Sequence, residues 1–141
     1  MAPEYLLHGQ FSIKSDIYSF GILILEIISG RRVSDSIYQS GGSLKLLSYA
    51  WKCWLNKEPL ELVDPTLSDS YSDDEVKKCI LLGLLCLQEE ISKRPTLVTI
   101  IHMLNTYSDA AETFSTPQPP VFLYSSSSDL TTTRSNTSSK P

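Results

Sequence analysis

Residues 15–30, Ser-Asp-Ile-Tyr-Ser-Phe-Gly-Ile-Leu-Ile-Leu-Glu-Ile-Ile-Ser-Gly, constrain the fold of this chain more than any other stretch. Ser15 is a helix-capping residue type and Gly30 a helix stop. Between them Ile17, Phe20, Ile22, Leu23, Ile24, Leu25, Ile27 and Ile28 fall on nearly every face of a 3.6-residue repeat. Such a helix belongs in the middle of a packed domain, buried on most sides, rather than on a surface. A bilayer span is excluded, because Glu26 interrupts the run and no apolar stretch reaches the roughly 20 residues that a span requires.

The remaining pattern is helical as well. Gly41-Gly42-Ser43 breaks the chain and caps a second helix, in which Leu44, Leu47, Trp51, Trp54 and Leu55 recur as one apolar stripe. Residues 56–72 contain Pro59 and Asp64-Pro65 and read as an extended connector. Ser72 and Glu75 have capping-box spacing ahead of a third helix ending near Gln88, with Val76, Cys79, Ile80, Gly83, Leu84 and Leu87 on one face. Pro95 and Thr96 introduce a fourth, Leu97–Asn105, whose Val98, Ile101 and Leu104 point one way. The expectation is an all-α domain over residues 1–107, without strands or internal repeats. Residues 108–141, rich in Ser, Thr and Pro, read as a disordered, solvated tail. One domain is all that 141 residues with 41% hydrophobic and 20% charged side chains support, and its core is small.

A formal net charge of −4, with Lys and Arg scattered in ones and twos, excludes a nucleic-acid surface. Arg31-Arg32 is placed where cations complement a helix C-terminus, and Lys77-Lys78 reads as a solvated face. Cys53, Cys79 and Cys86 lack CxxC spacing, and Cys79 and Cys86 are roughly 10 Å apart by helical rise, too far for a disulfide. They read as small core residues in a reducing compartment. The absence of a leader makes the glycosylation pattern at Asn136 idle, Ala2 excludes myristoylation, and the chain as given reads as cytoplasmic.

Four segments in order, "APEY" from Ala2, "SIKSDIYSFGILILEIISGRR" from Ser12, "LLSYAWKCWLNKEPLELVDPTL" from Leu46 and "ILLGLLCLQEEISKRPT" from Ile80, resemble the C-terminal half of the helical lobe of a protein kinase fold. They are most similar to plant receptor-like Ser/Thr kinases of the cysteine-rich group. The resemblance covers residues 2–107, and "PQPPVFLY" from Pro117 is similar to the Pro-then-aromatic stretch that follows the last helix in that group. It implies that Ala2-Pro3-Glu4 ends an activation segment and that Glu4 pairs with Arg94. A guanidinium fork suits a carboxylate, and removing one partner of such a buried pair costs about 3–5 kcal/mol. The resemblance also implies that Asp16 bonds the catalytic-loop backbone, although the helix dipole alone favours an acid in a first turn. Gly21 is read as allowing close approach of packed helices.

Phosphoryl transfer by a kinase requires a Gly-rich loop, a strand Lys, a catalytic-loop Asp and Asn, and an Asp-Phe-Gly that holds magnesium. The glycines at 9, 21, 30, 41, 42 and 83 form no GxGxxG, and neither His8 nor His102 precedes Arg-Asp. Ser19-Phe20-Gly21 offers no carboxylate. No catalytic, cofactor-binding or metal-ligating residue is therefore assigned, ATP and magnesium belonging to the intact family. The chain reads as a truncated receptor-like kinase, inert alone, whose intact relative would sit at the plasma membrane with this domain on the cytoplasmic side. Self-association through apolar surface left exposed is expected. The alternative is a binding module that docks on a full-length kinase or another signalling protein through the surface around Trp51 and Trp54.

Overall fold

The computed structural model describes residues 13–32, 42–67, 70–106 and 116–121. Four helices carry the fold: α1 (Ile13–Ser29), α2 (Gly42–Leu55), α3 (Asp73–Cys86) and α4 (Leu97–Asn105). Short 3-10 turns cover Pro59–Leu62, Pro65–Leu67 and Ile91–Lys93, and no strand occurs among the described residues. The all-α expectation holds.

α1 begins three residues earlier than a cap at Ser15 suggests, so Ser15 is a buried residue of the first turn instead of the cap. Its stop is as expected. Gly30 takes φ +69°, the left-handed conformation that glycine adopts without a Cβ penalty, and its N–H bonds the carbonyl of Glu26 at 2.9 Å. One carbonyl left open at this end, that of Ile28, accepts from the N–H of Asp64 at 2.8 Å and so ties the connector to α1.

The helical stretch enclosed on all sides is the C-terminal half of α3, not α1. Every residue from Ile80 to Gln88 is buried, whereas Ile13, Leu23 and Ile27 of α1 are 66%, 51% and 67% exposed. α1 packs on α3 through Ile17, Gly21, Leu25 and Ile28. Its outer face meets no cover among the described residues. α3 thus has core on two sides. Leu25, Trp51, Leu62, Ile80 and Leu84 belong to one cluster; Ile17, Leu82, Cys86, Ile100 and Met103 belong to the other.

Several local expectations need correction. Ser72 occupies the cap position of α3, but its side chain makes no capping bond; Asp73, Asp74 and Glu75 instead place negative charge at the positive end of the helix dipole. Lys78 is buried rather than solvated, because its ammonium donates to the carbonyls of Leu104 at 3.3 Å and Thr106 at 2.9 Å, which the end of α4 leaves open. In α4, Thr96 Oγ1 does accept from the N–H of Thr99. Its buried residues are Ile100 and Met103, however, while Val98, Ile101 and Leu104 face outward. Leu55 leaves the α2 stripe and is exposed, since the chain turns away there through Lys57 at φ 60°. The connector is not extended: Pro59 and Pro65 each start a 3-10 turn, the position where a missing N–H does no harm. Finally, the expectation of a solvated tail fails at residues 116–121, where Pro117 and Pro120 are buried against the body; residues 107–115 and 122–141 lie outside the described residues.

Candidate functional site around Arg94

Arg94 is delivered by the turn Ile91–Lys93 into the angle between α1 and the end of α3. Only 2% of it is exposed. A buried guanidinium is tolerated only where its N–H groups find acceptors. Here Nε donates to the carbonyl of Gln88 at 2.7 Å, Nη1 to Lys14 at 3.0 Å and Nη2 to Glu89 at 3.4 Å. The ring of Tyr18 lies under the guanidinium, 4.9 Å from its carbon, and supplies a cation–π contact. The ammonium of Lys14 returns the link by donating to the carbonyl of Arg94. Residues 80 apart in sequence are thereby joined by bonds in both directions. No buried side-chain nitrogen or oxygen lacks a partner among the described residues.

Ala2, Pro3 and Glu4 lie outside the described residues, so the acidic partner that the resemblance implies for Arg94 does too. Asp16 is exposed, on the rim of an apolar groove of about 390 Å³ lined by Ile13, Ile17, Phe20, Leu97 and Ile100. Gly21 stands as expected at the contact of α1 with α3: a Cβ placed there would sit 2.9 Å from Cys86 Cβ, from Gly83 O and from Leu87 Cγ. Of the two tryptophans, Trp51 is 1% exposed and belongs to the core, which removes it from any docking surface. Trp54 is half-buried and lines a shallow groove with Lys57, Pro59 and Lys77. The Arg31 guanidinium lies over the Tyr49 ring at 4.7 Å, a more specific place than a diffuse dipole contact.

The arrangement binds segments together; it is not a reacting constellation. Cys86, beside Arg94, is the best-placed nucleophile, but burial pushes its thiol up to about 12, with the cations of Arg94 and Lys14 offsetting only part of that effect. Burial raises Cys53 and Cys79 as well, and all three cysteines are free. At pH 8 the native chain is therefore expected to alkylate with iodoacetamide slowly at Cys86 and rapidly after denaturation. Mass spectrometry checks this, and native labelling of Cys86 at the denatured rate would contradict it. No group of three or more His, Cys, Asp or Glu positioned to share a metal ion occurs among the described residues. Among those same residues no helix is long and apolar enough to cross a membrane.

Sequence reasoning missed Lys14, Tyr18 and Gln88 as parts of this site. The first two stand four apart on one face of α1, and Gln88 is the lone amide that closes an apolar run, signals that point to a polar contact without naming its partner.

Comparison with known proteins gives the lineage of this arrangement. The family model described as protein tyrosine and serine/threonine kinase matches residues 1–104. The chain is 50% identical over 129 residues to cysteine-rich receptor-like protein kinase 4 of Arabidopsis thaliana, covering 90% of this chain and 18% of that protein. It is 54% identical over 106 residues to cysteine-rich receptor-like protein kinase 10 of the same plant, covering 75% and 16%. It thus spans less than a fifth of the length of these curated relatives. Among solved structures, the pseudokinase domain of BIR2, an immune regulator of the RLK/Pelle family, superposes with TM-score 0.62 at 21% identity, covering 79% of this chain and 35% of that one. This last likeness concerns the fold alone. With a family model matched from residue 1 to residue 104 and a helical architecture shared with a kinase-fold structure, the chain belongs to the protein tyrosine and serine/threonine kinase family, and its relatives are plant cysteine-rich receptor-like kinases.

Proposed function

We propose that these residues form the floor of the helical lobe of a plant receptor-like Ser/Thr kinase, and that the 141 residues alone bind no ATP and transfer no phosphate. The observation that carries this reading is the outer face of α1, which meets no cover among the described residues. Ile13, Leu23 and Ile27 are 66%, 51% and 67% exposed, and large apolar side chains exposed along one helix are surface on which a further layer of the same domain packs. In the intact family that layer brings the catalytic loop and the groups that hold ATP and magnesium, for which residues 1–141 offer no matching motif. The kinase domain of such a receptor would face the cytoplasm.

The purified chain, incubated with radiolabelled ATP, magnesium and a generic basic protein substrate, is expected to give incorporation at the level of buffer. Transfer that copurifies with the chain and survives removal of host kinases would overturn the reading. The same exposed face supports self-association. Size-exclusion chromatography with light scattering is expected to show species larger than 15.8 kDa that grow with concentration, and a monomer with sharp near-UV aromatic signals would contradict this. A decoy that docks on a full-length kinase would have to use Trp54 without Trp51; retention on an immobilised intact relative separates that role from an inert fragment.

A further inference from the structure

Thr116–Val121, Thr-Pro-Gln-Pro-Pro-Val, lies against the C-terminal end of α3. Proline fixes its own φ and biases the residue before it towards extended backbone, so Thr116, Gln118 and Pro119, each followed by proline, are held extended. The same prolines remove donors. From Pro117 to Val121 only Gln118 and Val121 possess a backbone N–H.

Both of those donors are taken by side chains at the α3 end. The N–H of Gln118 donates to Gln88 Oε1 at 3.1 Å, and the N–H of Val121 to Glu89 Oε1 at 3.1 Å. Gln88 Nε2 donates in return to the carbonyl of Gln118 at 3.1 Å, so one side-chain amide pairs with both backbone groups of a residue, as a neighbouring strand would. Lys93 Nζ donates to the Gln118 side-chain oxygen at 2.9 Å. Pro117 and Pro120, three apart, are both buried, which puts them on the same edge of a threefold extended chain.

The receiving side is built independently of the segment. Gln88 is 4% exposed, its Nε2 also donates to the carbonyl of Leu84 at 3.2 Å, and its own carbonyl accepts from Arg94 Nε at 2.7 Å. Its amide is thus oriented by α3 and by Arg94.

We propose that the corner formed by Gln88, Glu89 and Lys93 is a binding site for a peptide of the pattern Pro-x-Pro-Pro-x, extended over its first four residues and turning helical at the fifth, occupied in this chain by its own residues 117–121. The site reads where the peptide keeps its N–H groups, at the second and fifth positions, and seats the prolines at the first and fourth. A proline at the second position would remove the donor that Gln88 accepts, so the site discriminates among proline-rich sequences of similar composition. Tethering gives the internal segment an effective concentration in the millimolar range, against which a free peptide competes poorly. A vacated site is open to the same sequence from outside.

The full chain carrying Gln118→Pro and Pro120→Asp tests this, since it removes one donor and places a charge where a proline is buried. A fluorescent synthetic peptide with the sequence of residues 114–123 is expected to bind that variant at least about tenfold tighter than the unaltered chain, by fluorescence anisotropy. The same peptide with proline in place of glutamine is expected not to bind, and Gln88→Leu in the vacated chain is expected to abolish binding. Equal affinity for the two chains, or binding indifferent to the glutamine-to-proline change in the peptide, would overturn the proposal. Hydrogen exchange on the unaltered chain gives a check that depends on no variant. The amides of Gln118 and Val121 are expected to exchange more slowly than in the free peptide, and equal rates would refute the site.

Discussion

A chain carrying Arg94→Leu is expected to lose its fixed tertiary packing at 25 °C while keeping part of its helical signal. The substitution retains apolar bulk and removes every donor, so the buried carbonyl of Gln88 loses the N–H of Arg94, and the part-buried contacts to the carbonyls of Lys14 and Glu89 go with it. A buried acceptor left without a bond costs about 1–3 kcal/mol, and the contact over Tyr18 adds about 0.5–2 kcal/mol. These terms are not strictly additive, and together they amount to about 2–5 kcal/mol. Small domains have only about 5–15 kcal/mol of stability in all, and in this one Leu23 and Ile27 of α1 are exposed as well. Arg94→Lys should be intermediate, because an ammonium keeps the charge but cannot present Nε and both Nη groups in one plane. Near-UV circular dichroism and urea titration measure the series, with the order wild type, Lys, Leu. A Leu variant with an unchanged midpoint would show that the site contributes no net stability.

How much of this was legible in the sequence depends on how far away each residue's partner lies. Thr96 bonds an amide three residues on, and Gly30 ends α1 through its own φ, so both could be read from local pattern. Lys78 could not, because its acceptors are 26 and 28 residues distant and nothing beside it in the chain separates a capping lysine from a solvated one. The same holds for Pro117 and Pro120: composition marks a disordered tail, whereas docking depends on Gln88, Glu89 and Lys93, 25 to 32 residues upstream of the groups they bond. The exchange of roles between α1 and α3 has another cause. Hydrophobicity says that a helix has much to bury, but which helix is enclosed depends on what the other elements cover. α3 is flanked by α1, α4 and the Pro59–Leu62 turn, whereas α1 has its main contact on one side only. Of the site, Arg94 follows from the resemblance and Gly21 from its missing side chain within an apolar helix, whereas Lys14, Tyr18 and Gln88 emerge only when the helices are brought together.

Gly21→Val is expected to separate α1 from α3, and Gly83→Ala to be nearly silent, although both glycines face the same crossing. At Gly21 the added Cβ meets Gly83 O, Cys86 Cβ and Leu87 Cγ, each at 2.9 Å. The first is backbone and the second is fixed to it, so neither can yield unless α3 itself moves. At Gly83 the nearest atoms are Ile24 Cγ2 at 3.2 Å and Leu25 Cδ2 at 3.4 Å, which are side-chain methyls that shift by a few tenths of an ångström. Overpacking of the first kind costs about 1–3 kcal/mol or more, and the branched side chain adds a second clashing atom. Alanine in place of a helical glycine returns about 1 kcal/mol of propensity, which offsets the mild crowding at Gly83 and only part of that at Gly21 in Gly21→Ala. The urea midpoints should therefore fall in the order Gly83→Ala, Gly21→Ala, Gly21→Val. A midpoint for Gly21→Ala equal to or above that of Gly83→Ala would mean that α1 and α3 do not cross this closely in solution. Their close crossing is what sets Lys14 and Tyr18 of α1 against Arg94, so loosening it should also weaken the bonds around the guanidinium.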